Sequence, residues 1–418
     1  MNPPPSASLS QRSVLVAAAA DRPGDDPIFA LNAEAMRRSK AGESILNATL
    51  GALMEDDGRL AVMPVVREAL DAVDPLRASA YAPIAGEPAF LQAVIRDVFG
   101  EDERAAQSVA AATPGGTGAL HHAIVNFLEP GQALLTTNYF WGPYETLATH
   151  TGRRVETFGM FDAAGGFDLD AFERALRDLV ARQGRALIVL NTPCHNPTGY
   201  SLDRAEREAL ARVVREVSRD ATVALLIDLA YAHFGLGSAA DELEAFDDLG
   251  EGGVLLVAWT VSKAFAQYGA RIGALVARHP DEGERRRIAN ALSFSCRGTW
   301  SNCNHLGMLA ITDLLSDADK RRRSEVERAR LIELLAERVR AFNEHASRAG
   351  LRYPRYEGGF FVTVFTPDSA ATARRMRELG VYVVPVKGAV RVALCATPAA
   401  QVPRLVAALS EGLAAAGG

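Results

Sequence analysis

The run Val254 to Trp259 is continuously apolar and leads into Thr260, Ser262 and Lys263, with Arg271 eight positions beyond the lysine. A run with no polar alternation suits a strand buried on both faces of a parallel sheet. Open α/β sheets bind their ligands at the carboxyl ends of such strands. The pattern therefore sets a primary amine at a ligand-binding edge, with a guanidinium near it for a phosphate or carboxylate. Taken alone, Lys263 fits a plain surface lysine equally well.

Further polar groups fall at equivalent places. Gly115-Gly116-Thr117-Gly118 lies at a strand-to-helix turn, where free backbone N–H groups and a helix N-terminus make a natural phosphate site. It has neither the G-x-x-x-x-G-K-[ST] spacing of a nucleotide P-loop nor the G-x-G-x-x-G of a dinucleotide site. Asp228 closes an apolar strand, and an ionised carboxylate there needs a partner to offset its desolvation. A cationic ring nitrogen would serve, and so would a structural salt bridge. Each group has an ordinary alternative: a tight turn for the glycines, a turn cap for Asn196 in HNPTG, a core ring for Trp141. Together with Tyr231 they gather a lysine, a carboxylate, a flat aromatic, an amide, a phenol and a phosphate cradle along one sheet edge.

The elements that must carry these groups alternate. Val109 to Ala112, Ala133 to Thr137, Arg154 to Phe158, Ala186 to Leu190, Val223 to Ile227 and Val254 to Trp259 read as strands. Helices are expected from Pro64, over Pro88 to Phe99, from the TPGGTGAL turn through Phe127, over Asp168 to Arg182 and over Asp203 to Val217. This rhythm predicts an α/β fold, a mostly parallel sheet covered on both faces. After about residue 313 it changes. Val326, Leu331, Leu334, Leu335, Val339 and Phe342 mark one face of a long helix, and GGFFVTVF, VYVVPV and AVRVALC then read as a smaller α+β unit. The expected division is a flexible arm over 1–28, a first part of a small domain over 29–60, a large domain over 61–312 and the rest of the small domain over 313–418.

Composition excludes several classes. The 418 residues are 48% hydrophobic and 23% charged, as in an ordinary globular protein with chain enough for two or three domains. A net charge of -6, with no basic block interleaved with aromatics, gives no case for nucleic acid. The short runs Arg285 to Arg287 and Lys320 to Arg323 read as solvated helix faces. Cys194, Cys296, Cys303 and Cys395 are scattered, which argues against a zinc site or a disulfide framework and fits a cytoplasmic location. No apolar stretch approaches the ~20 residues of a membrane span.

HNPTG at 195 to 199, Asp228 with Tyr231, and Lys263 with Arg271 follow one another in the order and spacing of a known family. The chain resembles, from about Leu46 to Cys395, the fold-type I pyridoxal-phosphate enzymes, specifically the class I aspartate and aromatic aminotransferases. That resemblance implies a large domain around a seven-stranded sheet, with pyridoxal 5'-phosphate as cofactor. It implies Lys263 as the cofactor-bearing lysine, Asp228 as the partner of the pyridinium nitrogen, and Asn196 and Tyr231 at the phenolic oxygen. Trp141 matches the ring that stacks on the cofactor. Gly115, Gly116, Thr117, Thr260 and Arg271 match the phosphate-binding groups. Tyr81 in YAPIAG matches a tyrosine that reaches the partner subunit's phosphate, which implies a homodimer.

The same resemblance addresses substrates, an amino acid and a 2-oxo acid such as 2-oxoglutarate. Arg391 in RVALC looks like the anchor of the α-carboxylate. Arg297 in RGTWSN is similar to the arginine that binds a distal carboxylate from across the dimer. Two positions depart from the pattern: Thr49 stands where a glycine is usual, and Tyr144 where a histidine stands behind the aspartate. A lyase or decarboxylase on the same scaffold would share Lys263 and Asp228 with less need of Arg297. A non-catalytic sensor of this fold would normally add a DNA-binding segment, for which residues 1–28 are too short and too apolar.

Overall fold

The computed structural model describes residues 13–20, 22, 24 and 27–417. Most of the expected N-terminal arm lies outside these; a short helix, Ala17–Ala20, falls within it. Three sheets are formed. The largest has seven strands in the order β2-β8-β7-β6-β5-β3-β4, a second pairs β1 with β10, and a third runs β11-β12-β9. The strands are β1 Leu46–Asn47, β2 Ser108–Thr113, β3 Ala133–Thr137, β4 Arg154–Phe158, β5 Arg185–Asn191, β6 Thr222–Asp228, β7 Gly253–Thr260, β8 Gly273–Arg278, β9 Phe361–Phe365, β10 Val381–Tyr382, β11 Val384–Val386 and β12 Ala389–Ala393.

The large sheet is parallel except for β8, which pairs antiparallel with both β7 and β2. The sequence reading missed this strand. Its rule was strand, helix, strand, and a parallel return needs a crossover of about a dozen residues or more, usually a helix. Residues 261–272 hold only the four-residue helix Val261–Ala264, so the chain doubles back instead. That reversal matters for function. It sets Gly273, the first residue of β8, opposite both Thr260 and Thr113, and so delivers Arg271 to the edge where the parallel strands end.

Period-two burial splits the core between the two faces of the sheet. Leu187, Val189, Ala224, Leu226, Leu256 and Ala258 point to one face, against the helices Gly115–Phe127, Pro143–His150 and Glu282–Gly298. Ile188, Leu190, Leu225, Ile227 and Val257 point to the other, against helices that include Pro88–Phe99, Leu169–Gln183 and Arg204–Val217. The last two begin one residue later than expected because Asp168 and Asp203 are their N-caps. Asp203 forms a full capping box with Glu206. Helix Pro88–Phe99 has the expected bounds, with proline at its first position.

The long C-terminal helix, Ala318–Arg348, differs from expectation on one side. Leu331, Leu335, Val339 and Phe342 are buried, but Val326 is 63% exposed. Two arginines take places in the buried stripe. Arg328 donates to Ala264 O at 3.0 Å and lies over the Phe265 ring. Arg338, with no exposed surface, donates to Cys395 O (2.6 Å), Met54 O (2.7 Å) and the Asp56 carboxylate (2.7 Å). A guanidinium can be buried where its fork meets acceptors in plane, so hydropathy alone misreads this face. The basic runs behave as read: Arg287 pairs with Glu284, Arg321 with Glu325, Arg322 with Asp319 and Arg323 with Glu68, all on the surface.

The segment after β1 joins the small sheets to the large one. Ala393 N–H donates to Ala48 O, Met54 N–H to Cys395 O and Leu53 N–H to the Tyr268 hydroxyl. It turns at Asp56-Asp57-Gly58, closed by Glu55 N–H to Arg59 O. Among the described residues all four cysteines are free, no group of side chains could hold a metal ion, and no helix is long and apolar enough to cross a membrane.

Candidate active site

Strand pleat and register fix the first groups. Asn191 pairs with Asp228 in the β5–β6 ladder, and Asp228 with Ala258 in the β6–β7 ladder. Counting by twos from Val189, Leu226 and Ala258 sends Asn191, Asp228 and Thr260 to the same face at the carboxyl ends of three adjacent strands. There they line a cavity of about 180 Å³. Around it stand Gly116, Thr117, Trp141, Asn196, Tyr231 and Lys263, and at one end Ser262, Tyr268 and Arg271.

The carboxylate of Asp228 is buried. Its Oδ1 accepts from Ala230 N–H and its Oδ2 from the Tyr144 hydroxyl, each at 3.1 Å. Burial pushes its pKa up to about 6, against those two donors. The Asn191 amide bonds Asp228 O at 2.9 Å, and its Oδ1 accepts from Asn196 N–H at 2.7 Å. One side chain thus ties the HNPTG loop to the aspartate strand. In that loop Gly199 has φ +76, and a Cβ there would stand 2.3 Å from Phe361 O. Glycine is required on both counts.

Lys263 sits in the short helix Val261–Ala264, capped by Thr260, whose hydroxyl accepts from Ser262 N–H. The residue is half-buried overall, yet its amine reaches deep among aromatic rings, 4.5 Å from the Tyr268 centroid and 5.7 Å from that of Tyr231. Desolvation there lowers its pKa to about 8. The amine donates to Gly51 O at 2.6 Å.

The anion cradle forms at the start of helix Gly115–Phe127. Gly115 has φ +70, and a Cβ on it would lie 2.4 Å from Arg271 Nη2, so the guanidinium needs that glycine. Arg271 also donates to Ser262 Oγ (3.2 Å) and Tyr268 O (2.9 Å), and itself adopts φ +51. Gly116 and Thr117 present first-turn N–H groups, which have no partner within a helix. The Thr260 and Ser262 hydroxyls, 2.9 Å apart, complete the polar wall.

Arg391 on β12 is buried, lies 4.4 Å over the Phe361 ring, and donates to Thr49 O at 2.6 Å and to Asn196 Oδ1 at 3.5 Å. Tyr81 and Arg297 are not brought to this cavity. Tyr81 is 92% exposed, and Arg297, also exposed, donates to Ser301 Oγ at 2.5 Å. Asn191 and Tyr268 were missed at the sequence level. Asn191 carries a signal, a polar residue closing an apolar strand just ahead of HNPTG. Tyr268 carries none.

An anion cradle, a buried carboxylate and an amine of lowered pKa, spaced round one cavity at a sheet edge, suit a flat ligand with a phosphate, a basic ring nitrogen and a carbonyl carbon. Fold and site together define an α/β enzyme of the kind that uses pyridoxal phosphate. The sequence matches the family Aminotransferase class I and II over residues 45–409, and the chain belongs to that family. It is 30% identical over 383 residues to the tyrosine aminotransferase of Klebsiella pneumoniae, covering 88% of this chain and 93% of that one. The aspartate aminotransferase of Pseudomonas aeruginosa is 26% identical over 373 residues, 86% of this chain and 90% of that one. A solved aminotransferase from Anaerococcus prevotii superposes with a TM-score of 0.91 at 29% identity, covering 96% of this chain and all of that one. An aromatic-amino-acid aminotransferase from Burkholderia pseudomallei, covalently bound to pyridoxal phosphate, gives 0.79 at 25% identity, with 94% and 98% covered. The protein is an aminotransferase, and its family is pyridoxal-phosphate dependent.

Proposed function

We propose that this enzyme carries its cofactor on Lys263 and moves an α-amino group from an aspartate or aromatic donor to a 2-oxo acid such as 2-oxoglutarate. The observation that carries the reading is the convergence of the Lys263 amine, the Asp228 carboxylate and the Gly115–Arg271 cradle on one cavity. In this reading Arg271, Thr260 and the N–H groups of Gly116 and Thr117 hold the phosphate. Trp141 covers a ring face, and Asn196 and Tyr231 meet the phenolic oxygen. The bound cofactor supplies an electron sink for charge developing at the substrate's α-carbon.

The chain's own groups then have defined work. Asp228 holds a proton on the ring nitrogen, which requires it to stay ionised. The Lys263 amine takes the α-proton and returns it to the cofactor's carbonyl carbon, a task that needs a neutral base near working pH. Its pKa of about 8 supports that role. Arg391 orients the substrate's α-carboxylate, with its fork steadied by Thr49 and Asn196. Tyr81 and Arg297, both exposed on a single chain, belong in this reading to the site of a second copy, making the enzyme a homodimer. We further assign 61–312 to a cofactor-binding domain and 29–60 with 313–418 to a smaller one, supported by the β1–β10 pairing and the Arg338 contacts.

Borohydride reduction of the cofactor-loaded protein, followed by peptide mapping, tests the central assignment. The pyridoxyl label is expected on Lys263. A label on another lysine, or none, refutes it.

A further inference from the structure

One imidazole bridges the two ends of the loop that carries Tyr81. His305 is buried and opens helix His305–Ser316. Its Nδ1 lies 2.8 Å from Ala80 O, and a carbonyl oxygen only accepts, so Nδ1 is the donor there. Its Nε2 lies 2.8 Å from Glu87 Oε1, with one proton between them. Ala80 caps the short helix Pro75–Ser79, and Glu87 stands just before helix Pro88–Phe99. The Glu87 carboxylate makes no capping bond to its own helix and is given to His305 instead. Between these anchors the loop rests on β2: Ala112 N–H donates to Ala85 O at 2.7 Å. Gly86 takes φ +111 there, and a Cβ on it would lie 2.6 Å from that of Ala112. Tyr81 is 92% exposed, so its own chain packs little against the ring, and the backbone anchors set where the phenol points.

His305 is itself held at the edge that carries the cavity. Asn304, the N-cap of its helix, accepts from Gly307 N–H and donates to Ala270 O, each at 3.0 Å. Ala270 directly precedes Arg271, and a Cβ on Gly307 would stand 2.3 Å from the Ile272 side chain. One helix start therefore touches both the segment that carries Arg271 and the loop that carries Tyr81.

We propose that His305 is a positioning residue of the aminotransferase reaction, stapling the ends of the 80–87 loop so that the Tyr81 phenol is aimed into the cofactor site of a second copy. The proposal rests on the reading that Tyr81 belongs to that second site. His305 does not line the cavity and acts through the loop alone.

The test measures binding of pyridoxal phosphate to the cofactor-free protein by quenching of tryptophan fluorescence, for which Trp141 is placed. Wild type, Tyr81→Phe, His305→Leu and Glu87→Ala are compared, with the last two changes repeated in the Tyr81→Phe background. Loss of a hydrogen bond to a charged phosphate should weaken binding about tenfold in Tyr81→Phe, and by a similar factor in His305→Leu. Glu87→Ala, which cuts one end of the staple at a partly exposed side chain, should weaken it in the same direction. It decides alone where His305→Leu does not fold. In the Tyr81→Phe background neither change should have a further effect, because the phenol through which both act is gone.

Affinities within about threefold of wild type in both loop variants, with Tyr81→Phe clearly weakened, overturn the proposal and leave the underlying reading intact. Equal losses in both backgrounds also overturn it, since His305 would then act on the site by another route. A loop variant that sediments as a monomer while wild type is a dimer overturns it too, because the staple would then hold the interface and not the phenol. If Tyr81→Phe binds the cofactor as wild type does, the reading of Tyr81 itself fails.

Discussion

The amine of Lys263 donates a 2.6 Å hydrogen bond to the carbonyl of Gly51, 212 residues earlier in the chain. A Cβ on Gly51 would stand 2.4 Å from the Phe361 ring, so that backbone can lie close to the lysine only as glycine. The contact joins the segment after β1 to the end of β7, and with it the small sheets to the edge that carries the cavity. It also holds an amine in surroundings that disfavour its charge.

The pH profile of cofactor capture follows from that burial. Only the neutral amine attacks a carbonyl, and with a pKa of about 8 its neutral fraction rises through that pH. Cofactor uptake by the apo protein, followed by its visible absorption, should accelerate to about pH 9 and then level off. A rate still climbing towards pH 10 would mean an ordinary, solvated lysine. Lys263→Ala should bind without any borohydride-stable label.

Asp228 makes a separate prediction for stability. Its folded pKa, about 6, is raised above the unfolded value of 3.8. The folded chain therefore holds that proton more tightly, and the associated stability, full below 3.8, is lost as pH rises through 6. At neutral pH the penalty reaches about 3 kcal/mol at most. Urea denaturation of the cofactor-free proteins should find Asp228→Asn more stable than wild type at pH 7.5, and nearly equal at about pH 4. Equal stabilities at both values would show the carboxylate to be well solvated.

In the proposed reading, substrate discrimination divides between Arg391 and Arg297. Loss of a charge-assisted contact costs about 1.5 to 3 kcal/mol, roughly one to two orders of magnitude in kcat/KM. Arg391→Ala should harm every donor by that factor. Arg297→Ala should harm aspartate, glutamate and 2-oxoglutarate while sparing phenylalanine and tyrosine. Parallel losses for aspartate and phenylalanine in Arg297→Ala would remove it from substrate binding.

The proposed homodimer with shared sites predicts complementation. Lys263→Ala chains are expected to be inactive, and Arg297→Ala chains impaired towards aspartate by roughly one to two orders of magnitude. Mixed after denaturation and refolding, they should regain activity, because one site of each hybrid dimer combines a native lysine with a native arginine. An active monomer by sedimentation, or mixtures no better than the parents, would count against an interface site.

The buried Arg338 predicts a structural loss far from the chemistry. Arg338→Met keeps the stem but removes the guanidinium donor from the Met54 carbonyl and one of the two donors of the Cys395 carbonyl, which keeps Met54 N–H. The Met54 loss costs about 1 to 3 kcal/mol and the second bond to Cys395 O about 0.5 to 1.5 more, so a total of about 1.5 to 4.5 is expected in a urea melt. A smaller effect would mean that water replaces the guanidinium.

Chemistry-bearing residues were legible wherever the chain itself punctuates its elements. Asp228, Thr260 and Lys263 stand where apolar runs stop, and a strand's end can be seen in sequence because burial on both faces admits no polar residue before it. Helix starts at Asp168 and Asp203 were legible for a similar local reason, the capping side chain. The sequence also determined the fold class, through the alternation of strand and helix from Ser108 onward.

Tertiary structure alone decided the rest. Strand β8 reverses direction, so Arg271 meets the cradle from the start of a strand and not from its end. Asn191 and Tyr268 became site residues through a ladder register and a loop path that no spacing encodes. Arg328 and Arg338 turned a hydropathic stripe into a row of buried guanidinium contacts. Contacts of this kind depend on separate elements arriving together, with bonded residues from 37 to 284 positions apart. Local propensity carries no information about them, because the free energy that fixes them is released only when the sheets have packed.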